Sequence, residues 1–186
     1  MKYFKKLVGD RIYLSPRCSE DSEKFTEWLN DFEVSDYIGR SGQLITVEGE
    51  KEYLEKENNP EAIFVIVTLD EDKMIGTVSL EHVDKINRTA ELGIFIGDKD
   101  YRSKGYGTEA IKLLLEYGFK YKNLKSIYLR LMEFNTGALK CYKKCGFKEF
   151  GRRRKCKFVN GKYYDIIGMD ILDEEFDGDY IRNKNI

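Results

Sequence analysis

Hydrophobic and polar residues alternate in several segments of the chain, with the period of two that is typical of β-strands. In residues 89–97, the apolar positions 90, 92, 94 and 96 share one face, whereas Glu91, Gly93 and Phe95 share the other. The same alternation predicts four more strands, at residues 11–14, 62–69, 73–83 and 125–131. In chain order, residues 89–97 are the fourth predicted strand and residues 125–131 the fifth.

Two more strands are predicted near the C-terminus, at residues 147–159 and 162–172. The dipeptide between them, Asn160-Gly161, is typical of a type I′ hairpin turn. A long helix connects the fourth strand to the fifth, so this pair is expected to be parallel. The predicted fold class is α/β (α+β), with a mixed, mostly antiparallel sheet of about seven strands and helices on both faces.

Apolar residues recur at helical spacing in four other segments. A first helix is predicted to begin at Ser19 and to bury Phe25, Trp28, Leu29 and Phe32, with residues 36–42 as the loop that follows. Trp28, the only tryptophan, is interpreted as a core residue. A second helix begins after Thr46, the central helix follows the fourth strand, and a short helix at residues 135–145 ends at Gly146.

A glycine-containing turn leads into the central helix, with the sequence Arg102-Ser103-Lys104-Gly105-Tyr106-Gly107-Thr108. Backbone N–H groups at the start of a helix bind anions, and glycines let a ligand approach the backbone closely. Arg102 and Lys104 add positive charge, and Thr108 adds a hydroxyl. The pattern predicts a phosphate-binding turn; an ordinary surface turn is the alternative.

The composition excludes several classes of function. Residues 1–186 are expected to form one domain with a frayed tail from about residue 178, and the net charge of -1, from 32 basic and 33 acidic residues, does not favour nucleic acid or a membrane as partner. The sequence has no apolar segment of membrane-spanning length and no signal peptide, so a cytoplasmic protein is expected. The cysteines, Cys18, Cys141, Cys145 and Cys156, lack metal-binding spacing, and we expect reduced thiols and no metal.

A second motif, N-x-x-A-x-x-x-Y-x-x-x-G-F, occupies residues 135–147. Together with the R-x-x-G-x-G turn, it resembles the GNAT N-acetyltransferase superfamily, in the branch that contains ribosomal-protein N-terminal acetyltransferases and spermidine N-acetyltransferases. Further similarities are Ala90-Glu91, Tyr117-Gly118-Phe119 and the segment from Phe158 to Tyr163. The resemblance covers most of the chain.

The resemblance implies that acetyl-CoA binds between the fourth and fifth strands, which would splay apart. The pantetheine arm would pair with the backbone near residues 95–97 and hydrogen-bond Asn135, the pyrophosphate would lie on the glycine turn, and Tyr142 would approach the thioester sulfur. The residues expected to bind the cosubstrate are Phe95, Ile96, Gly97, Arg102, Ser103, Lys104, Gly105, Tyr106, Gly107, Thr108, Asn135 and Ala138.

The chemistry expected of such a site is direct attack of a primary amine on the thioester. Tyr142 is the candidate general acid, and Glu91 the candidate base, with His82 or water as rivals. The preferred acceptor is a small-molecule amine such as a polyamine or an amino sugar. The alternatives are a protein N-terminus and a non-catalytic acyl-CoA-binding module, and a monomer or a homodimer is expected.

Three features of the sequence either have two interpretations or depart from the usual pattern. The acidic segment at residues 46–57, with Glu48, Glu50, Glu52, Glu55 and Glu57, is either a solvated helix face or an acidic wall that attracts a cationic acceptor. The linker at residues 98–101 looks one residue longer than is usual in the family. Gly137 is a poor helix former in the first turn of the short helix.

Overall fold

Eight strands form one mixed sheet in the computed structural model, which describes residues 2–56 and 62–184. In chain order the strands are β1 (Leu7–Val8), β2 (Ile12–Pro16), β3 (Ile63–Thr68), β4 (Met74–Asp84), β5 (Thr89–Ile96), β6 (Ser126–Met132), β7 (Lys148–Val159) and β8 (Lys162–Leu172). Their order across the sheet is β1-β2-β3-β4-β5-β6-β8-β7, and only β5 and β6 are parallel. The predicted mixed sheet with one parallel pair is confirmed. Strand β1 was missed because two residues are too few to show a period.

Helices cover both faces of the sheet, as predicted. They are α1 (Ser22–Asn30), α2 (Phe32–Ile38), α3 (Val47–Lys56), α4 (Tyr106–Glu116) and α5 (Thr136–Lys144). Residues of α1, α2 and α3, including Trp28, Val34 and Leu54, share one apolar layer, whereas α4 and Tyr142 of α5 belong to the layer on the other face. The parallel β5 and β6 are the strands between which α4 crosses over.

The segment around Asp31 differs from the prediction. Helix α1 ends at Asn30, and the Asp31 carboxylate accepts a hydrogen bond from the Glu33 N–H at 2.9 Å, which caps a separate helix, α2. Phe32 therefore begins α2 and is 66% exposed, so its assignment to the apolar face of the first helix is wrong. Residues 36–38 are also helical and not a loop, since α2 continues to Gly39, whose φ of 71° ends it.

The C-terminal segment is docked, so the expectation of a frayed tail from residue 178 is wrong as far as residue 184. Ile181 is buried, and its N–H donates to the buried carboxylate of Glu116 at 3.0 Å. The Lys184 ammonium donates to the same carboxylate at 2.7 Å. A buried carboxylate that has several donors anchors the chain. Residues 185 and 186 lie outside the described residues.

Three short-range signals in the sequence, one for a turn and two for helix ends, are confirmed. Asn160 and Gly161 have φ of 45° and 76°, as a type I′ turn requires, and they join β7 to β8. The Thr46 hydroxyl accepts a hydrogen bond from the Gly49 N–H at 3.1 Å at the start of α3. Gly146 has a φ of 96° directly after α5.

Trp28 is a core residue, as interpreted. It is 4% exposed and makes edge contacts with the rings of Phe25 and Phe95, whose centroids lie 5.9 and 6.1 Å away. A β-carbon at position 97 would lie 2.0 Å from the Trp28 Cδ2 atom, so only glycine fits there. The tryptophan thus packs α1 against the end of β5.

Candidate active site

Strands β5 and β6 part halfway along their length and open a cleft. Their parallel pairing ends at Glu91 and Tyr128. Beyond that point β5 stays paired with β4 as far as Ile96, and β6 stays paired with β8 as far as Met132. The cleft between them has a volume of about 1380 Å³, and the predicted splaying of the two strands is confirmed.

An ion pair closes the cleft at the point where the strands part. The Arg130 Nε and Nη2 atoms donate to the two oxygens of Glu91 at 2.8 and 2.9 Å, and both residues line the cleft. The carboxylate of Glu91 is therefore held in one orientation by a bidentate pair, which raises the pKa of Arg130. His82 lies 3.2 Å from the same carboxylate, but its side chain is 68% exposed and it does not line the cleft.

The glycine turn reaches the cleft at the start of α4. Gly105 has a φ of 90° and precedes the helix, and the first amide to bond back is that of Glu109, which donates to the Gly105 carbonyl at 3.1 Å. The N–H groups before Glu109 have no intrahelical acceptor, which suits an anion. A β-carbon at Gly107 would meet nothing closer than Ile94 Cδ1, at 3.8 Å, so the cleft leaves open space beside the backbone.

The structure separates the residues expected to bind the cosubstrate into two groups. Those that line the cleft are Phe95, Ile96, Arg102, Ser103, Gly105, Gly107, Thr108, Asn135 and Ala138. Gly97, Lys104 and Tyr106 do not line it. Gly97 faces Trp28, and the Tyr106 ring packs against Arg11, whose guanidinium carbon is 4.5 Å from the ring centroid. Periodicity does not distinguish these orientations, because they depend on residues distant in sequence.

Arg102 contacts the protein itself at the end of β5. Its Nε donates to the Ile96 carbonyl at 3.1 Å and its Nη2 to the Gly97 carbonyl at 2.8 Å. The Gly97 N–H donates to Ile75 at 3.0 Å, so both polar backbone groups of Gly97 have protein partners. The strand positions left for a ligand to pair with are therefore those before Gly97.

The linker at residues 98–101 folds into a tight turn. A 3₁₀ helix spans Lys99–Tyr101, and the Asp98 carboxylate caps it by accepting from the Asp100 N–H at 3.0 Å. Burial of Asp98 is offset by the Lys73 ammonium, 2.9 Å away, and by that N–H, so the pKa of Asp98 is lowered. The linker therefore ends before the glycine turn begins.

Tyr142 reaches the cleft from the buried face of α5. The residue is 7% exposed and packs edge-on against Phe147, with ring centroids 5.9 Å apart. Burial, with smaller effects of Cys141 and Cys145, raises the pKa of the phenol, so it stays protonated at neutral pH. Within the described residues the hydroxyl has no hydrogen-bond partner, which leaves its proton available to a ligand in the cleft.

A pair of thiols lies beside the glycine turn, and the sequence pattern indicated no chemical role for them. Cys141 lines the cleft, with its Sγ atom 3.2 Å from the Thr108 hydroxyl. Hydrogen bonds from Cys145 and Thr108 lower the pKa of Cys141 to about 6. The hydrogen bond between the two cysteines, together with burial, raises the pKa of Cys145. Only the i, i+4 spacing of the two cysteines in the sequence pointed to this proximity.

Asn135 holds the start of α5 at the other edge of the cleft. Its side-chain oxygen accepts a hydrogen bond from the Ala138 N–H at 3.1 Å, which is an N-cap. Gly137, in the first turn, would have nothing within 4 Å of a β-carbon, and it lines the cleft. The residues of the second motif thus orient α5 and Tyr142 toward the cleft.

A second wall of the cleft, which we call the acceptor wall, was not foreseen. It consists of Val34, Tyr37 and Ile38 of α2, Phe134 after β6, and Phe150, Arg152, Arg153, Cys156 and Lys157 of β7. Helix α2 belongs to the sheet face opposite α4. The rings of Tyr37 and Phe134 have centroids 5.5 Å apart. The run of basic residues in β7 was a signal visible in the sequence.

The acidic helix does not form part of the cleft. No described residue of α3 lines it, and Glu50 is buried, which raises the pKa of its carboxyl. Leu54 places the inner side of α3 in the same layer as α1. The hypothesis of an acidic wall at the acceptor entrance is therefore wrong for Glu48, Glu50, Glu52 and Glu55, whereas Glu57 lies outside the described residues.

Comparison with known protein families agrees with the arrangement of turn, splayed strands and tyrosine. Residues 11–148 match the family model for the acetyltransferase (GNAT) domain. The chain belongs to the GNAT acetyltransferase family. This GNAT protein is 32% identical over 180 residues to the probable N-acetyltransferase YjcK of Bacillus subtilis, covering 91% of this chain and 98% of that protein. It is an N-acetyltransferase by family, and the resemblance stated from its motifs is confirmed.

Spermidine acetyltransferases are also among the relatives. The chain is 34% identical over 119 residues to spermidine N(1)-acetyltransferase of Vibrio cholerae, covering 64% of this chain and 68% of that protein. A structure of the Vibrio cholerae enzyme in complex with CoA and spermine superposes with a TM-score of 0.82 at 28% identity, covering 88% of this chain and 96% of the other. Another structure of that enzyme is described as dodecameric.

The described residues offer neither a membrane span nor a metal site. No helix there is long and apolar enough to cross a membrane. In the same residues, no group of three or more histidine, cysteine, aspartate or glutamate side chains could hold a metal ion.

Proposed function

We propose that this GNAT protein transfers the acetyl group of acetyl-CoA to a primary amine of a small molecule by direct attack. The observation that carries the proposal is the position of Tyr142. Its protonated hydroxyl, without a protein partner in the described residues, lines the same cleft as the glycine turn and the parted strands. Open space at Gly107 and free amides at the start of α4 fit a pyrophosphate there.

Each step of the transfer has a candidate group in the cleft. Residues of β5 before Gly97 present backbone groups with which a pantetheine arm can pair and that can stabilise an oxyanion. Tyr142 donates a proton to the departing thiolate. Lys140 and Lys144 of α5 line the cleft and are placed to meet phosphate groups.

Glu91 is the proposed base for the attacking amine. It is one of two carboxylates that line the cleft, and Arg130 fixes its orientation. A carboxylate has about four lone-pair sites, so the bidentate pair leaves it able to accept a further proton or hydrogen bond. His82 is disfavoured as the base because its exposed ring does not line the cleft.

The acceptor is best tested with amines of different kinds. Spermidine, glucosamine and a short peptide with a free N-terminus are each incubated with the protein and acetyl-CoA, and acetylated products are measured by mass spectrometry. The proposal expects product from at least one small amine. Product from the peptide alone would instead establish a protein N-terminal acetyltransferase. Binding of acetyl-CoA without any product would indicate a non-catalytic module.

The oligomeric state is a separate part of the proposal. A monomer or homodimer is predicted, and the dodecamer described for the Vibrio cholerae relative is the competing possibility. Size-exclusion chromatography with light scattering decides among these masses. A stable twelve-subunit particle would contradict the prediction.

A further inference from the structure

The two carboxylates that line the cleft are already paired with cations of the protein. Glu91 is held by Arg130. Glu33 lies 3.1 Å from the Lys99 ammonium and 3.3 Å from the Arg102 guanidinium. A polycationic acceptor would therefore find no unpaired carboxylate among the described residues of the cleft. Among the described residues, seven basic side chains line the same cleft against these two carboxylates, so positive charge is in excess there.

Lys157 is held at the acceptor wall where three elements meet. A β-carbon built on Gly39, at the end of α2, would lie 2.6 Å from Lys157 Cε and 2.8 Å from Met132 Cε. The stem of the lysine thus crosses from β7 to α2 over the end of β6. Lys157 is half-buried, and it forms no ion pair with any described residue. A half-buried ammonium without a carboxylate is a favourable site for an anion.

Arg153 supplies a second unpaired charge on the same strand. It lines the cleft and has no carboxylate partner in the part of the chain that the structure describes. Arg152, its neighbour, differs, because Glu133, Glu149 and Asp165 surround it at 3.7 to 3.8 Å. The unneutralised charge of the acceptor wall is therefore carried by Arg153 and Lys157.

Aromatic and aliphatic side chains line the same wall as these charges. Tyr37, Phe134, Val34 and Ile38 all line the acceptor wall. Such a surface suits a carbon chain or ring, with the amine at one end and a charged group at the other. The acceptor wall therefore presents both apolar and cationic side chains to one cavity.

We propose that the acceptor is a small amine that also carries a carboxylate or phosphate, which binds to Lys157 and Arg153. This inference rests on the proposed acetyl transfer and specifies its substrate class. The anionic end would be fixed at β7 while the amine points toward Glu91 and Tyr142. A charge-assisted contact at one end of a flexible amine also orients the other end.

The test uses amines that share one carbon chain and differ only at the far end. These are 6-aminohexanoate, 6-aminohexyl phosphate, 6-aminohexanol and 1,6-diaminohexane. Their affinities for the protein saturated with CoA are measured by calorimetry, and their kcat/KM with acetyl-CoA by product formation. At least one of the two anionic amines is expected to bind about tenfold or more tighter than the alcohol, and the diamine more weakly than the alcohol. Salt should reduce these differences.

Matched substitutions within β7 distinguish binding of the anion at Lys157 and Arg153 from a general effect of the positive charge of the strand. Lys157→Gln and Arg153→Gln are expected to bring the affinity of the anionic amine close to that of the alcohol, with little change for the alcohol. Arg154→Gln and Lys155→Gln remove the same charge from exposed residues of the strand that do not line the cleft, and they should keep the preference. Thermal unfolding of each variant shows whether the fold is retained.

The outcomes distinguish this inference from the proposed function. If all four amines are acetylated with equal kcat/KM and bind equally, the inference is wrong and acetyl transfer stands. If the anionic amine binds through Lys157 and Arg153 but neither these four amines nor spermidine and glucosamine are acetylated, the anion site stands and the proposed function is wrong. The inference is also overturned if the Arg154 and Lys157 variants lose the preference equally, or if only an acidic peptide binds.

Discussion

Arg130 of β6 donates hydrogen bonds of 2.8 and 2.9 Å to Glu91, the last residue of β5 that pairs with β6 before the two strands part. The pair closes the inner end of the cleft and fixes the carboxylate that we propose as the base. The ion pair therefore has two roles, one in the structure of the cleft and one in the proposed chemistry. Because both functions depend on the same carboxylate, its replacement tests them directly.

Glu91→Gln keeps the size of the side chain and removes its basicity. We expect kcat to fall by roughly 10²-fold or more, as is typical when a positioned base is lost, with little change in CoA affinity. The control is Glu55→Gln, which should leave kcat unchanged because this exposed carboxylate of α3 does not line the cleft. A Glu91→Gln enzyme that keeps its rate within about threefold would make the ion pair purely structural, with the amine deprotonated by water.

Tyr142→Phe removes one hydroxyl from a buried ring. Because burial keeps this phenol protonated, its loss should lower kcat by roughly 10²-fold or more while CoA affinity stays the same. Tyr106→Phe is the matched control, since Tyr106 belongs to the neighbouring helix and does not line the cleft. Steady-state kinetics and calorimetry measure the two effects. Labelled acetyl transferred through Cys141 or Cys145 would contradict direct attack.

Gly107→Val fills the space beside the start of α4. The protein itself tolerates a β-carbon there, with the nearest atom 3.8 Å away, so the fold should persist while CoA binds at least tenfold more weakly. Gly42→Val is a control, because a β-carbon at Gly42 would meet nothing within 4 Å and Gly42 does not line the cleft. Calorimetry with CoA and thermal unfolding report the two properties separately. Equal CoA affinity in wild type and Gly107→Val would place the pyrophosphate elsewhere.

Cys141 should be the most reactive thiol of the cleft. Its pKa of about 6 means that the thiolate predominates above pH 6 and is lost as the pH falls below it. Alkylation by iodoacetamide, followed by peptide mass spectrometry from pH 5 to 9, should rise to half its plateau rate near pH 6. Cys145 should react far more slowly, because its pKa is raised.

Protection of Cys141 by CoA provides the control for that experiment. Since Cys141 lines the cleft beside Thr108, saturation with CoA should slow its alkylation, whereas Cys18, which does not line the cleft, should be unaffected. A midpoint near the ordinary thiol pKa would show that the hydrogen bond from Cys145 does not stabilise the thiolate. Equal rates with and without CoA would place the cosubstrate away from α5.

Features that depend on neighbouring residues could be predicted from the sequence. The Asn160-Gly161 turn, the start of α3 after Thr46 and the Gly146 terminus all follow from local backbone preferences, and each is confirmed. The glycine turn was likewise predicted to lead into a helix, and α4 begins directly after Gly105. Such features involve contacts within a few residues, so tertiary structure adds little to them.

Other features depend on contacts between distant parts of the chain. The docking of the C-terminal segment needs Glu116, about 65 positions earlier. The orientation of Gly97 away from the cleft needs Trp28, and the partner of Glu91 is Arg130, on a strand that follows the crossover. No periodicity contains this information, because it describes one segment at a time.

The sequence by itself determined the alternation of strands and helices, the single parallel pair, the turns and caps, and the family motifs at residues 102–108 and 135–147. The tertiary structure alone decided which of those residues line the cleft, that the described residues of α3 stay outside it, and that Arg153 and Lys157 of the acceptor wall have no carboxylate partner among the described residues. The physical reason is that local backbone preferences act within a few residues, whereas side-chain burial and charge pairing depend on which segments the sheet brings together.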